Sequence, residues 1–174
     1  FSVAPTEKFT MFGGLSYLDS EFDSFVSASP LPGDTVPQDL TGTRPHYSPE
    51  WQGSLVADWR IPFGNGGWEW FLRPEVLYIG EQNIGANTNN NPQSIQDAYT
   101  LWNLRLGLMP DGGRWAVTLY GKNLGDEGYC EVMFDQPLGA QFGAVNAAAN
   151  TVTQRCVVGD PRTYGVNFRV NFGY

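Results

Sequence analysis

Large apolar side chains alternate with small or polar ones in several separate segments of the chain. In the last segment, residues 164–174, aromatic and branched residues alternate with Gly, Asn and Arg, and the segment ends on Tyr174. Because successive side chains of a strand point to opposite faces, this pattern predicts a β-strand with one apolar and one polar face. A tilted strand needs about nine to eleven residues to cross a membrane, so the length also fits a membrane-spanning strand.

The same alternation predicts more strands upstream. They cover residues 9–17, 51–61, 68–78, 102–108 and 114–122. The first of them is weaker, because Gly13 and Gly14 interrupt it and Phe12 falls on its polar face. Pro74 warns of a bulge or a local break in pairing, since proline has no amide proton to donate. With the final segment, the pattern predicts about six strands and an all-β fold.

Connections between the predicted strands alternate between long and short. Turns rich in Gly and Pro at 62–67 and 110–113 are short, whereas the connections at 19–49, 81–97 and 126–161 are long. Transmembrane barrels sort their connections in this way, with short periplasmic turns and long outer loops. The sequence therefore predicts an antiparallel, up-and-down transmembrane β-barrel. The smallest such barrels have about eight strands, so we expect this chain to be a segment of a larger barrel.

Charged residues are divided between loops and strands by their sign. The chain has 10 basic and 18 acidic residues. Most acids lie in or beside the long connections, whereas the polar faces of the strands carry basic residues, namely Arg60, Arg73, Arg105, Lys122 and Arg169. Basic groups facing lipid near the midplane cost about 2–4 kcal/mol each, so these five are expected to face the barrel interior. They either contact a ligand there or simply pair with the wall acids Asp58, Glu69 and Glu75.

The two cysteines, Cys130 and Cys156, lie in the same long connection. A disulfide between them would close a long loop and would indicate an oxidising compartment. Two free thiols are the alternative.

No constellation typical of an enzyme or a metal site is visible. His46 is the single histidine, and it cannot build a metal site with two distant cysteines. No basic stripe matches a phosphate backbone. We therefore predict no catalytic residues, no metal, no cofactor and no nucleic-acid partner. The asparagine-rich run at 87–91 is expected to be a solvated loop tip, although its amides could contact a sugar or a metal chelate.

Three motifs resemble those of TonB-dependent outer-membrane receptors. Residues 123–129, with the sequence NLGDEGY, resemble the N-L-aromatic-D-x-x-Y signature near the end of these receptors. Residues 162–165 lead into an aromatic-ended final strand, as in that family. Residues 40–44 and 48–51 resemble its loop-to-strand entry. Gly125 departs from the signature, because the family usually has an aromatic residue there.

The resemblance implies a receptor with a barrel of about twenty-two strands and an N-terminal plug domain. Such receptors take up a scarce ligand, such as a siderophore, cobalamin or a glycan, with energy from the TonB complex. Residues 1–174 would then form the C-terminal portion of the barrel in the bacterial outer membrane. The implied partners are outer-membrane lipid, the upstream strands and plug of the same receptor, and the TonB complex through an N-terminal part that this chain does not contain.

Two groups of residues receive predicted roles from this resemblance and topology. Candidate ligand-binding residues in the outer loops and the upper lumen are Arg44, Tyr47, Gln82, Asn83, Asn87 and Arg155, with Arg73 and Arg105 lower in the wall. An aromatic C-terminus serves the family as a signal for outer-membrane assembly. That role falls on Tyr164, Phe168, Phe172 and Tyr174.

Two other classes of protein are compatible with the pattern. A small, complete outer-membrane barrel would contain two further strands within the long connections and would close with eight strands. A soluble β-barrel or sandwich that binds a small apolar ligand would enclose apolar residues in place of Arg and Asn. The strand count and the chemistry of the enclosed face separate these alternatives.

Overall fold

The computed structural model describes residues 1–110, 112–136, 145–146 and 151–172, and nearly all of its regular structure is β. The strands are, in chain order, β1 (Ser2–Thr6), β2 (Phe9–Tyr17), β3 (Trp51–Phe63), β4 (Trp68–Ile79), β5 (Gln82–Asn83), β6 (Ile95–Gln96), β7 (Tyr99–Pro110), β8 (Trp115–Lys122), β9 (Cys130–Asp135), β10 (Val145–Asn146), β11 (Thr151–Val152), β12 (Gln154–Val158) and β13 (Thr163–Val170). A single 3₁₀ turn at Pro92–Ser94 accompanies them in the described ranges. Within those ranges, no helix is long and apolar enough to cross a membrane.

Seven of the strands form one antiparallel sheet in the spatial order β1-β2-β3-β4-β7-β8-β13. The turn after β3 uses Gly64 and Gly67, with φ of 64° and 69°, and the turn after β7 uses Gly112 and Gly113, with φ of 84° and 61°. Glycine adopts this left-handed region at low cost, so both turns reverse the chain within a few residues. The short turns share one end of the sheet, and the long connections leave from the other end.

Alternation along the strands divides this sheet into an apolar face and a polar face. Side chains on the apolar face include Trp59, Trp102, Leu119, Tyr164 and Phe168, which are 48%, 52%, 52%, 66% and 65% exposed. The polar face carries Arg60, Arg73, Arg105, Tyr120 and Asn167, which come from five neighbouring strands and fall in two adjacent register rows. An exposed apolar face of this extent marks contact with lipid or another protein and not with water.

The sheet is an open segment of an antiparallel barrel, as the alternation predicted. β1 and β13 are its two edges, and they do not pair with each other in the part of the chain that the structure describes. Side chains from β3, β4, β7, β8 and β13 line one cavity on the polar face, so the sheet curves toward that face. The enclosed face holds arginine and asparagine, which does not fit a soluble protein with an apolar interior. The additional strands in the long connections form separate two-stranded sheets and do not complete an eight-stranded barrel.

Both edges of the sheet differ from the prediction in extent. The edge strand β1 was not predicted, and its pairing with β2 is irregular between Val3 and Thr6. β13 ends at Val170, where the prediction extended it to residue 174. Its partner β8 begins at Trp115, which lies opposite Val170, and beyond that pair the ladder continues only with a hydrogen bond from the Asn171 amide to the Arg114 carbonyl at 2.8 Å in the described residues. Phe172 follows the strand and is 93% exposed, and Tyr174 lies outside the described residues.

Proline in β4 interrupts pairing on one side only. Pro74 lies opposite Leu104 of β7 in an unbroken register. On the β3 side, pairing stops at Val56–Glu75 and resumes at Trp59–Leu72 with no residue inserted. The predicted local break is therefore confirmed without a bulge, because the missing amide proton removes a ladder contact but leaves the register intact.

A glycine on the polar face gives a test of this packing. A Cβ at Gly107 would lie 2.9 Å from Cδ1 of Phe71 and closer still to two other ring atoms. We expect Gly107→Ala to lower the free energy of unfolding by about 1–3 kcal/mol, because the ring must leave its place on the strand. Urea unfolding in detergent micelles measures this. Gly14→Ala is the matched control, since a Cβ there meets nothing within 4 Å; equal effects of the two substitutions would contradict the packing.

Candidate functional site

The long connections fold against one another into a single unit, which we call the loop cap (residues 18–50, 80–98 and 123–162, as far as described). Ile84 lies at its centre and is 1% exposed. Its carbonyl accepts hydrogen bonds from the Tyr47 hydroxyl at 2.8 Å and from the Met133 amide at 3.0 Å. Its own amide donates to the Ser94 carbonyl at 2.9 Å. All three connections therefore meet at one residue.

The carboxylate of Asp135 is a second meeting point of the loop cap. Its Oδ2 accepts hydrogen bonds from the amides of Asn87 at 2.8 Å and Asn89 at 2.6 Å. Its Oδ1 accepts from the amides of Asn91 at 2.9 Å and Gln154 at 3.0 Å. Four side-chain amides from two connections thus converge on one carboxylate at the end of β9. We call this set the Asp135 network.

Burial and hydrogen bonding shift the pKa of Asp135 in opposite directions. Burial raises the pKa of its carboxyl group, but the hydrogen bonds from Gln154 and the three asparagines outweigh burial and hold the pKa below its ordinary value of 3.8. The group is therefore ionised at neutral pH. Its four acceptor positions are occupied by amides, so the network is complete without a metal ion. No group of three or more His, Cys, Asp or Glu suited to hold a metal occurs in the described ranges.

The asparagine-rich run is a solvated loop tip only in part, because Asn87 and Thr88 are exposed as predicted, whereas Asn89 and Asn91 lie in the interior of the loop cap. Asn89 is 3% exposed and Asn91 is 4% exposed. The Oδ1 atom of Asn91 accepts from the Gln93 amide at 3.0 Å, which leaves its side-chain nitrogen to face Asp135. The alternation pattern gives no signal for Asp135 and Gln154, because each lies at the end of a short strand within a long connection.

The predicted disulfide joins Cys130 and Cys156, with Cα atoms 5.6 Å apart. It links β9 to β12, which pair as a two-stranded hairpin. Register shifts between Val157 and Val158, so that Glu131 is the extra residue on the β9 side. The disulfide and the Asp135 network hold the two ends of the same hairpin.

The NLGDEGY motif forms the corner between β8 and the loop cap. Asn123 is 3% exposed, and its side chain bonds the carbonyls of Glu127 and Asp160 at 2.8 and 3.1 Å and the Glu127 amide at 2.9 Å. Tyr129 stacks on Tyr99 with ring centroids 4.6 Å apart. These contacts explain why Asn and Tyr occupy the ends of the motif. A Cβ at Gly125 would lie 4.0 Å from Cδ1 of Trp102, so the Trp102 ring is the nearest group to this departure from the family signature.

The predicted ligand-binding residues of the loops have different surroundings. Tyr47 and Asn83 come together, because the Tyr47 amide donates to the Asn83 carbonyl at 2.9 Å, and Gln82 precedes Asn83 in β5. The side chains of Asn83 and Asn87 are engaged in hydrogen bonds within the loop cap. Arg44 lies 3.5 Å from Glu50, and Arg155 is exposed on β12.

His46 also contacts the asparagine-bearing connection. Its Nδ1 lies 2.9 Å from the Gly85 carbonyl oxygen, so the ring holds the first and second connections together. Its Nε2 is buried without a hydrogen-bond partner among the described residues.

The two predicted wall residues, Arg73 and Arg105, lie directly opposite each other on β4 and β7. A guanidinium nitrogen of Arg73 lies 3.7 Å from a carboxylate oxygen of Asp58, and its guanidinium carbon lies 5.6 Å from the ring centroid of Phe12. The position of Phe12 on the polar face, which looked anomalous in the sequence, thus supplies a cation–π contact. Tyr120 follows Arg105 in the same row.

A cavity of about 720 Å³ lies on the polar face around these arginines. Its floor is aromatic, because the Phe71 ring covers Gly107 and the Tyr120 ring covers Gly165. Basic residues surround the floor, namely Arg60, Arg73, Arg105, Lys122 and Arg169. Of these five, only Arg73 has a carboxylate within the 4.0 Å limit for an ion pair, as far as the described residues go. Glu69 and Glu75 form no ion pair with them, so general internal pairing does not account for the basic wall.

Sequence comparison places this open sheet in a family. The family described as "TonB dependent receptor-like, beta-barrel" matches residues 2–124. The chain belongs to the TonB-dependent receptor β-barrels. This confirms the resemblance that the NLGDEGY motif and the final strand suggested. No curated protein matches the chain.

A solved structure shows the same fold. The crystal structure of the ferric yersiniabactin uptake receptor FyuA from Yersinia pestis matches 99% of the chain with a TM-score of 0.71 and 16% sequence identity. The chain spans only 22% of the length of that receptor. At this identity the likeness concerns the fold, and it agrees with a barrel segment.

The Asp135 network gives a test of the loop cap. We expect Asp135→Asn to loosen the cap, because an amide cannot accept four hydrogen bonds and buried Asn89 and Asn91 lose their charged partner. Hydrogen bonds to charged groups contribute about 1.5–3 kcal/mol each, reduced here by partial exposure. Hydrogen exchange at the amides of Ala86 and Met133, which join the two connections, should accelerate at least about tenfold in the variant.

The same network predicts a direction for pH dependence. The folded-state pKa of Asp135 lies below the ordinary 3.8, so its stabilisation is complete above pH 3.8 and is lost as the pH falls through the folded value. The protection of the Met133 amide, relative to its intrinsic exchange rate at each pH, should fall in that range in the wild type and not in Asp135→Asn. Glu131→Gln, on an exposed side chain of the same strand, is the matched control. If the Asp135 network does not stabilise the loop cap, Asp135→Asn and Glu131→Gln should show the same exchange at Met133.

Proposed function

We propose that the chain is part of an outer-membrane receptor that takes up a scarce ligand of the siderophore, cobalamin or glycan class. The observation that carries this proposal is the two-faced sheet of a receptor-family barrel, with exposed aromatic and branched residues on one face and a basic, curved surface on the other. Such a sheet needs lipid on the apolar side and water on the polar side.

Residues 1–174 form the C-terminal portion of the barrel in this proposal. The open edges at β1 and β13 support it, since an edge strand has unpaired backbone groups that lipid cannot satisfy. Upstream strands and the plug of the same receptor would complete the lumen, and the TonB complex would act through the N-terminal part. Tyr164 and Phe168 lie on the apolar face of the final strand, which is compatible with their proposed role, with Phe172 and Tyr174, as an assembly signal.

The orientation follows from the connections. Short turns face the periplasm in transmembrane barrels, so the loop cap would face outside and meet the ligand first. Arg44, Tyr47, Gln82, Asn83, Asn87 and Arg155 are the proposed contacts in this cap. Because Ile84 and the Asp135 network fix the backbone around them, these side chains are presented from a preorganised surface. FyuA is a ferric yersiniabactin uptake receptor, and this favours the siderophore class among the three.

The test is uptake by the living cell. Deleting the gene for the intact receptor should abolish growth on one limiting nutrient, namely iron as a chelate, cobalamin or a glycan, and deletion of tonB should give the same defect. Restoring the full-length gene should restore growth. Unchanged uptake of every member of the three classes in the deletion strain would contradict the proposal.

A further inference from the structure

We infer that the paired arginines Arg73 and Arg105 form a binding site for an oxyanion, a carboxylate or phosphate group, within the lumen. This inference rests on the proposed function and narrows the ligand to anionic molecules. The site lies in the middle of the sheet, away from the loop cap, and its members come from neighbouring strands β4 and β7. Rigid strands hold the two guanidinium groups on one surface.

The first argument is the unbalanced charge of the pair. Like charges directly opposite each other on neighbouring strands are destabilising. The only carboxylate within ion-pair distance in the described ranges is that of Asp58, at 3.7 Å from Arg73. Asp58 and Arg73 have side chains that are 32% and 35% exposed, so water still reaches both. Asp58 therefore pairs with Arg73 alone, and Arg105 has no carboxylate within ion-pair distance among the described residues.

The second argument is an unused hydrogen-bond donor. The Nε atom of Arg73 is buried and has no hydrogen-bond partner among the described residues. A buried polar group without a partner costs free energy, and guanidinium groups bind carboxylates and phosphates through two parallel hydrogen bonds. An oxyanion is the partner with the matching geometry and charge.

The third argument is the lining of the cavity. Arg60 and Arg169 lie on the same polar face toward the short-turn end, and Thr118 and Asn167 supply neutral donors between them. The floor beneath consists of the Phe71 and Tyr120 rings, laid flat on glycines of the next strand. An anion with a flat or hydrocarbon body would contact the rings and direct its charged groups to the arginines. A neutral glycan would leave those arginines unpaired.

Citrate is a suitable probe, because it carries several carboxylates and needs no knowledge of the natural ligand. We expect the intact receptor, purified in detergent, to bind citrate in isothermal titration calorimetry, with an affinity that falls as salt rises. Arg105→Gln should weaken binding at least about tenfold, and the double variant with Arg73→Gln should abolish it. Inorganic phosphate as a second probe separates a general oxyanion site from one that requires several carboxylates.

Arg114→Gln is the matched control, since Arg114 is exposed beside the short turn and outside this cavity. It removes the same charge and should leave citrate binding unchanged. A circular dichroism melt of each variant shows that the barrel still folds. Absence of citrate and phosphate binding in the wild type, or equal binding in Arg105→Gln, would overturn the inference. The wild-type receptor would bind neither citrate nor phosphate if carboxylates of the plug already occupied the two arginines.

Uptake assays keep this inference separate from the proposed function. If cells lose uptake when the receptor gene is deleted but the purified receptor binds neither probe, the receptor function stands and the oxyanion site is wrong. If the deletion leaves all uptake intact while citrate binds through Arg105, the site stands as a chemical property and the proposed function is wrong.

Discussion

Every backbone hydrogen-bonding group of the sheet must find a partner while one face of the sheet meets an apolar medium and the other meets water. A strand satisfies this condition only if apolar and polar residues alternate along it. Its side chains change face at each residue, and its backbone hydrogen bonds run sideways to the neighbouring strands. Cross-strand register keeps Leu106 beside Leu119 on one face and Arg105 beside Tyr120 on the other. A shift by one residue would place arginines against lipid, so the register fixes both faces at once.

The structure divides the molecule into a wall and a loop cap with different kinds of stabilisation. In the wall, neutral rings packed over glycines shape a basic cavity, and charge is left unbalanced. In the cap, the Asp135 carboxylate keeps its charge, and four neutral amides satisfy its hydrogen-bonding capacity. A closed polar network of this kind rigidifies loops, whereas an unbalanced basic surface leaves donors available to a ligand. This contrast gives buried Asn89 and Asn91 a structural role and leaves binding to the other polar groups of the cap and to the wall arginines.

Alternation predicted six of the seven main strands, since face-to-face alternation is a local property of the sequence. It did not predict β1, a short edge strand of five residues whose pairing with β2 is irregular. The end of β13 depended on the length of its partner, which its own sequence does not contain. In the candidate site, the arginine pair followed from face assignment. The Asp135 network did not, because Asn91 and Asp135 are 44 residues apart and meet only through tertiary folding.

Nitroxide scanning of β8 tests the two-faced wall most directly. Labels are placed one at a time at residues 116–120 of the intact receptor in lipid bilayers, and the native cysteines do not react because they form a disulfide. Collision with oxygen, which partitions into lipid, should peak at 117 and 119. Collision with a water-soluble nickel chelate should peak at 116, 118 and 120. Equal accessibility to both reagents along the strand, or the inverse alternation, would contradict a sheet that separates lipid from a water-filled lumen.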